Sequence, residues 1–147
     1  MSGRKRSHAA RLADLLTDQR GEVGERAQWH ERILEGLGFD AVEKVKARAS
    51  LTDAEIARLL GIGEATLRRA RASGGTLDAF TSDRLYRLSK AIAIAEEVLE
   101  GTDNAMTWLR RPQPALGGKV ALDLLVTQAG ADQVETLLRR IDYGVYT

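Results

Sequence analysis

Apolar residues recur along most of this chain three or four positions apart, the spacing that places them on one face of an α-helix. Glycine, proline and capping residues separate one such stretch from the next. The pattern predicts helices over residues 9–16, 25–37, 40–48, 53–72 (interrupted at Gly61), 78–99, 102–111, 121–125 and 131–142. We expect an all-α fold, with a helix-turn-helix N-terminal region followed by a small helical domain.

Capping signals mark where several of these helices begin. In a capping box, the first side chain accepts from a backbone N–H three residues later, and the acid at that later position reaches back. The chain carries two such patterns and two further N-cap candidates: Asp40-x-x-Glu43, Thr52-x-x-Glu55, Asp78, and Thr102 or Asp103.

The predicted helix over 78–99 has a wide apolar face, which can pack on two neighbours at once. We expect it to join the two halves of the protein and to form the seam of a homodimer, because helix-turn-helix proteins normally bind paired half-sites as dimers. Its central stripe is Leu85, Leu88, Ile92, Ala95 and Leu99, flanked by Ala91, Ile94 and Val98.

The run DAEIARLLGIGEATLRRARA, residues 53–72, fits the helix-turn-helix template position by position. Gly61 supplies the left-handed turn residue, and small Ala57 lets the second helix approach closely. An αα-corner without a nucleic-acid role is the alternative, but the basic outer face favours DNA binding. The inward template positions are Ile56, Leu60, Ile62, Leu67 and Ala70.

The outer face of the second helix carries the candidate DNA contacts. With Leu67 pointing inward, a helical wheel places Arg69 opposite it and Arg68 beside Arg69. Arginine pairs with guanine edges, alanine touches a thymine methyl, and free N–H groups at a helix start bind phosphate. Arg71 points back, so it is predicted to contact a phosphate or the protein itself. We expect operator DNA to contact Gly63, Ala65, Thr66, Arg68 and Arg69.

Composition indicates a globular protein with two chemically different halves. Of 147 residues, 44% are hydrophobic and 29% are charged, and cysteine is absent, which excludes disulfides and thiolate metal sites. Residues 1–90 carry 17 Lys+Arg against 13 Asp+Glu, a net +4, whereas residues 91–147 carry 5 against 8, a net −3. This asymmetry favours two partners of opposite charge.

The N-terminal region is basic but carries no targeting signal that we identify. No apolar run approaches the ~20 residues of a membrane span, and Asp14 precedes any signal-peptide core, so we expect a cytoplasmic protein without a membrane partner. The cations Arg4, Lys5, Arg6 and Arg11 are interpreted as a solvated tail, with an arm on nucleic-acid phosphates as the alternative.

We find no catalytic or metal-binding pattern. His8 and His30 lack ligand spacing to a partner, and Gly117-Gly118-Lys119 lacks the upstream glycine and the Ser/Thr of a P-loop. We therefore expect no enzyme activity, no cofactor, no metal and no small-molecule substrate.

Residues 108–125, WLRRPQPALGGKVALDLL, hold both prolines of the chain. A helix carrying Trp108 should end before Pro112, because proline lacks an N–H and fixes φ. Gly117 and Gly118 permit a turn with positive φ before ALDLL restarts a helix. This predicts either a corner that packs Trp108 into the core or a shaped surface for a partner.

Several motifs in the C-terminal half occur in a recognisable order. They are Asp83-Arg84-Leu85, Glu96-Glu97-Val98, Ala105 with Trp108-Leu109, Pro112-x-Pro114-Ala115-Leu116-Gly117-Gly118, Leu122-Asp123-Leu124-Leu125, Val134-Glu135 and Ile141-x-Tyr143-Gly144-Val145-Tyr146. With these motifs, residues 82–146 resemble the C-terminal toxin-binding domain of Xre/MbcA/ParS antitoxins, which neutralise RES-type toxins.

The resemblance implies an antitoxin that blocks a cognate NAD-consuming RES-domain toxin, represses its own operon and is not itself catalytic. The expected parts are a basic arm or short helix over 1–22, a helix-turn-helix region over 23–77 and a toxin-binding domain over 78–147. The alternatives are a stand-alone transcriptional regulator whose C-terminal half dimerises, and an adaptor with a vestigial helix-turn-helix. The implied toxin contacts are Trp108, Arg110, Pro112, Pro114, Leu116, Gly117, Gly118, Tyr143, Gly144, Val145, Tyr146 and Thr147.

The last helix is predicted to end with Gly144 as its C-terminal cap. The aromatic residues around this end need burial, since a free tail is normally polar. Tyr143 is expected either to fold back onto Trp108 and Leu109 or to join Tyr146, which the resemblance implies enters the toxin's NAD-binding cleft.

Overall fold

The computed structural model describes residues 6–17 and 26–144. Within these ranges the chain is almost entirely helical, which confirms the all-α expectation; one two-stranded hairpin is the addition. The elements are α1 (His8–Leu16), α2 (Arg26–Glu35), α3 (Phe39–Arg48), α4 (Asp53–Leu60), α5 (Glu64–Ser73), α6 (Ala79–Leu99), α7 (Thr102–Arg110), β1 (Pro112–Gln113), a 3-10 helix (Pro114–Leu116), β2 (Lys119–Val120), α8 (Ala121–Leu124) and α9 (Gln128–Asp142).

Side-chain caps fix the starts of α4 and α6 as predicted. Thr52 Oγ1 accepts from the Glu55 N–H, and Glu55 Oε1 accepts from the Thr52 N–H, both at 3.0 Å. At α6, Asp78 Oδ1 accepts from the Thr81 N–H at 2.7 Å. These bonds satisfy donors that a helix start leaves without a partner.

The predicted cap of α3 at Asp40 is wrong. The helix begins one residue earlier, at Phe39, with Gly38 as its N-cap and no side-chain cap bond. The Phe39 N–H donates to Gly75 O at 3.0 Å, and Gly38 bridges to Thr76. Tertiary pairing with the segment after α5 therefore determines where this helix starts.

The cap of α7 also differs from the sequence expectation. Gly101 is the N-cap, with φ 137, and no side chain caps the helix. Thr102, one of the two predicted caps, instead donates its hydroxyl to Glu96 Oε2 at 2.5 Å. The Thr102 hydroxyl therefore bonds to a buried acceptor on α6 and does not cap the start of α7, as the local sequence had predicted.

Helix α6 lies at the centre of the fold and packs against α1, α2, α4, α7 and α9. Its apolar face is therefore covered within one chain: Ile92 is fully buried and Ile94 is 2% exposed. Ile94 is therefore not available for the predicted dimer seam, whereas Val98 is only partly buried, and the homodimer itself stays a prediction. The helix joins the two halves, as its wide face predicted.

The first half of the core is anchored by Trp29, which is buried and lies 5.5 Å from the Tyr86 ring between centroids. This confirms Trp29 as a core residue. Helix α2 stops at Glu35, because Gly36 adopts φ 98 and Leu37 turns away to pair with α6. The Leu37 N–H donates to Ser82 Oγ at 2.9 Å.

The side chain of Glu96 is completely buried in the last turn of α6 and is held by an ion cluster. Arg48 donates from Nε and Nη2 to the two carboxylate oxygens, each at 2.9 Å, and Arg11 Nη1 lies 3.8 Å away. With the Thr102 hydroxyl, the cluster joins α1, α3, α6 and α7. We call these four side chains the Glu96 cluster.

Helix α9 begins at Gln128, three residues before the sequence prediction, with Thr127 as its N-cap. Its first turn passes close to α8: a Cβ added at Gly130 would lie 2.0 Å from Leu124 O. Glycine permits this approach because it has no side chain. Within the described residues, no helix is long and apolar enough to cross a membrane.

Candidate functional site

The helix-turn-helix consists of α4, the turn at Gly61–Gly63, and α5. Gly61 adopts the left-handed conformation (φ 70) that the template requires. Ile56, Leu60 and Leu67 are completely buried, so they fix the crossing of the two helices. The predicted geometry of the motif is confirmed in these residues.

The outer face of α5 is open to solvent. Leu67 is the buried residue of this helix, as the helical wheel assumed. Arg69 Nη2 donates to Thr66 Oγ1 at 3.2 Å, and Arg68 has no ion pair with a described residue. No side chain caps the start of α5 at Gly63. The predicted contact residues Gly63, Ala65, Thr66, Arg68 and Arg69 are all exposed.

Arg71, the remaining arginine of α5, is held by the protein itself. Its guanidinium donates to Asp53 at 2.8 and 3.0 Å and to Glu43 at 2.9 and 3.1 Å. Hydrogen bonds from Arg71 and then Lys46 hold the pKa of Asp53 well below its usual value. Of the two roles predicted for Arg71, the structure gives it the intramolecular one.

Of the four N-terminal cations, only Arg6 and Arg11 lie within the described residues. Arg4 and Lys5 lie outside the described residues. Arg6 pairs with Asp14, and Arg11 reaches into the Glu96 cluster with a side chain only 16% exposed. Arg11 is therefore part of the core of the fold and not of a solvated tail or a DNA-binding arm.

The proline–glycine corner forms a compact projection between α7 and α8. Helix α7 ends at Arg110, before Pro112, and Gly117 and Gly118 adopt φ 68 and 79, all as predicted. Strands β1 and β2 pair antiparallel, with Pro112 opposite Val120. The sequence did not predict this hairpin, because two-residue strands leave no alternating pattern.

Only part of the corner is available to a partner. Pro112, Pro114, Gly117 and Gly118 are exposed, whereas Trp108 is half-buried against the core. Leu116 is 8% exposed and packs in the core, so little of its surface is available to a toxin, and the predicted contact stays a prediction. It instead forms part of the wall of a cleft.

That cleft lies between the 3-10 helix and α9 and has a volume of about 300 Å³. Ala115 and Leu116 line one side; Leu137 and Arg140 are among the residues that line the other. Asp132, Gln133 and Thr136 also line the cleft, so it offers both apolar surface and polar groups of either charge to a partner side chain. The cleft and the exposed corner adjoin one another through the 3-10 helix.

Two ion pairs connect the corner to the first helix of the helix-turn-helix. Arg110 Nη1 donates to Glu55 Oε2 at 2.7 Å, and Arg110 Nη2 donates to Ser50 O at 3.2 Å. The hydrogen bond from Arg110 to the Glu55 carboxylate lowers the pKa of Glu55 to about 2. Arg58 pairs with Asp123 at 3.0 Å. Arg110, predicted to contact the toxin, is already engaged within the chain.

The C-terminal end of α9 leaves one aromatic side chain in solvent. Tyr143 is 78% exposed, so the expectation that it folds back onto Trp108 and Leu109 is wrong. Gly144 has φ 71, and its N–H donates to Ile141 O at 3.1 Å, consistent with its predicted role at the helix end. Val145, Tyr146 and Thr147 lie outside the described residues.

Sequence reasoning missed the Glu96 cluster, although one signal was present. Glu96 follows Ile92 by four residues and so lies on the apolar stripe of α6, where an acid needs a partner. The partners come from α1, α3 and α7, which no local pattern connects. Among residues 6–17 and 26–144, no group of three His, Cys, Asp or Glu side chains could hold a metal ion.

Comparison with known proteins agrees with this arrangement. Residues 28–90 match the family model of the antitoxin Xre-like helix-turn-helix domain, and residues 95–144 match that of the antitoxin Xre/MbcA/ParS C-terminal toxin-binding domain. The chain is 31% identical to antitoxin Xre of Pseudomonas putida over 137 residues, covering 93% of this chain and 84% of that protein. It is 30% identical to antitoxin Xre of Yersinia enterocolitica over 118 residues, 80% of each.

The chain belongs to the Xre family of antitoxins. A solved structure, the MbcT–MbcA toxin–antitoxin complex of M. tuberculosis, contains a chain with the same fold: the TM-score is 0.57 at 21% identity, over 74% of this chain and 96% of that one. This Xre-family chain is thus an antitoxin of a toxin–antitoxin system, with a helix-turn-helix domain and a C-terminal domain that binds a toxin. Membership of an antitoxin family points to a regulatory protein.

Proposed function

We propose that this antitoxin blocks an NAD-consuming RES-domain toxin by placing residues 143–147 in the toxin's active site. The observation that carries the proposal is the 78% exposure of Tyr143 at the end of α9, inside the toxin-binding domain. An aromatic ring left in solvent keeps its apolar surface available for burial against a partner. In a desolvated pocket of a partner, such a ring contributes ~2 kcal/mol or more to binding.

The exposed corner supplies the surface around this anchor. Pro112, Pro114, Gly117 and Gly118 project beside the cleft that Arg140 lines. The two prolines fix their φ angles, and the pairing of β1 with β2 holds the corner, so it has little freedom to lose on binding, which favours affinity. We expect this rigid surface to orient the toxin while the chain end fills its active site.

A truncation after Asp142 tests the occlusion mechanism. The toxin candidate is the product of the adjacent reading frame, co-expressed with full-length or truncated antitoxin, and growth rescue is scored. We expect the truncated protein to bind the toxin more weakly and to protect poorly, while its helical signal and melting temperature stay unchanged. Arg139→Ala, which removes only a surface pair with Glu135, is the matched control. Equal protection by a folded truncation contradicts occlusion.

We also propose that α5 binds the operator and represses the operon. Its support is the exposed pair Arg68 and Arg69, in contrast to Arg71, which is paired with carboxylates. Arg68→Ala or Arg69→Ala is expected to weaken operator binding by ~1–3 kcal/mol, the loss typical of a base-reading arginine. Gel-shift titration measures this, with toxin neutralisation as the unaffected control. Wild-type affinity in both variants would exclude α5 as the reading helix.

Homodimerisation remains part of the proposal, because paired half-sites require two copies of α5. The buried part of the α6 apolar face, including Ile94, is not available for the contact between the two copies. Light scattering at micromolar concentration, with and without toxin, decides the oligomeric state. A stand-alone regulator with a C-terminal dimerisation domain gains no support, since that domain matches a toxin-binding family.

A further inference from the structure

Arg84, in the second turn of α6, is a cation that the helix-turn-helix holds in place without neutralising. Its Cζ lies 3.7 Å from the centroid of the Phe80 ring, and a Cβ added at Gly61 would lie 3.0 Å from its Nη1. No ion pair joins Arg84 to a described residue. Asp78 lies within electrostatic range, but its carboxylate accepts from the Thr81 N–H instead.

The neighbours of Arg84 leave its hydrogen-bond donors open. The Phe80 ring lies against the guanidinium, with Cζ 3.7 Å from the ring centroid, and the guanidinium occupies the space that a Cβ at Gly61 would need. Neither neighbour offers a hydrogen-bond acceptor in this contact, and no side chain of the described residues accepts a hydrogen bond from Arg84. A stacked guanidinium loses little freedom on binding, and its planar fork matches the oxygens of a phosphate. Phe80 is 65% exposed and contributes little to the core, so stacking on Arg84 explains its position.

The location of Arg84 matches the path of a DNA backbone. In helix-turn-helix complexes the first helix crosses the backbone, and the start of the second contacts base edges in the major groove. The turn at Gly61–Gly63 joins these two points, and the start of α5 at Gly63 carries no side-chain cap. A guanidinium in contact with Gly61 therefore lies beside the phosphates that border the groove.

We propose that Arg84, held flat by Phe80 and Gly61, binds a phosphate of the DNA backbone beside the helix-turn-helix turn. The proposal rests on DNA binding by α5 and extends the interface to α6, which the hydrophobic pattern assigns to the core. A phosphate contact carries no sequence information, so it contributes equally to operator and non-operator DNA.

The experiment measures binding of the full chain to a random-sequence duplex and to the promoter of its own gene by fluorescence anisotropy, at several KCl concentrations. Arg84→Ala is expected to weaken binding to both duplexes on the order of tenfold, the effect of losing one charged hydrogen-bonding group. The slope of log affinity against log salt should fall in magnitude by ~0.9, the value for one phosphate contact. Arg84→Lys should restore the slope but only part of the affinity.

Arg139→Ala is the charge-matched control and should change neither quantity. Unchanged affinity and slope for Arg84→Ala, with binding intact in the wild type, overturn the Arg84 assignment alone. No binding by the wild type to either duplex refutes DNA binding by α5 and the Arg84 contact together. Phe80→Ala tests a third outcome: a fall in molar mass by light scattering, shared by Arg84→Ala, would identify this patch as a seam between two copies and overturn the proposal.

Discussion

Removing Arg48 should destabilise the protein more than neutralising its partner Glu96. Glu96 is completely buried, whereas the Arg48 side chain is 25% exposed. If Arg48 is replaced by Met, the carboxylate keeps the Thr102 hydroxyl at 2.5 Å and Arg11 at 3.8 Å, but loses two bonds of 2.9 Å. If Glu96 is replaced by Gln, the two arginines remain, and water reaches both of them.

The magnitudes follow from this difference in burial. Removing one partner of a buried ion pair costs about 3–5 kcal/mol, and Arg11 keeps Arg48→Met near the lower end, at about 3 kcal/mol. Glu96→Gln should cost ~1–2 kcal/mol, because a neutral amide preserves some of the hydrogen bonds. The double replacement Arg48→Met with Glu96→Gln leaves neither a buried carboxylate nor its main cation. It should recover about 2 kcal/mol relative to the sum of the single costs.

Urea unfolding of the four proteins, followed by far-UV circular dichroism, gives the free energies of unfolding. Thermal unfolding provides a second measure, since a loss of about 3 kcal/mol lowers the melting temperature by roughly 10 °C in a domain of this size. A cost below about 1 kcal/mol for Arg48→Met would refute the reasoning, and so would a double mutant whose cost equals the sum of the single costs.

Two further predictions concern the junctions between elements. Gly130→Ala should destabilise the protein by ~3 kcal/mol or more, because the added Cβ would lie 2.0 Å from Leu124 O. The control Gly75→Ala has open space around the added Cβ and should be nearly neutral. Equal melting temperatures for the two variants would contradict the clash. Glu55→Gln should cost about 1 kcal/mol after solvent screening of the bond from Arg110. The pKa of Glu55 is depressed from 4.5 to about 2, so this stability is present above pH 4.5 and is lost as pH falls toward 2; a pH-independent difference in urea unfolding would contradict it.

The sequence predicted the helices because their boundaries are set locally. Thr52 and Asp78 carry their own capping bonds, and Pro112 ends α7 whatever surrounds it. The sequence prediction failed at Asp40 and at Thr102, because there the start of the helix depends on a backbone segment or an acceptor from elsewhere in the fold. Propensity describes only the interactions that near neighbours can make.

The candidate sites were predictable to different extents for a similar reason. The wheel of α5 placed Arg68 and Arg69 outward correctly, since one buried residue, Leu67, fixes the rotation of a helix. The corner residues were less predictable. Arg110 has the right exposure for a partner contact, but its acceptor, Glu55, lies 55 residues away in sequence. No spacing rule connects two residues that only the tertiary fold brings together.

The same point changes what the charge asymmetry of the chain means. A net +4 before residue 91 and −3 after it favours two partners, yet several of these charges neutralise one another inside the protein. Arg48 pairs with Glu96 and Arg58 with Asp123, so cations of the first half hold acids of the second. What a DNA backbone can attract is the remainder, the cations that no carboxylate in the described chain holds. Around the helix-turn-helix these include Arg68, Arg69 and Arg84, and the distribution of ion pairs therefore supports the proposed DNA-binding face more directly than net charge does.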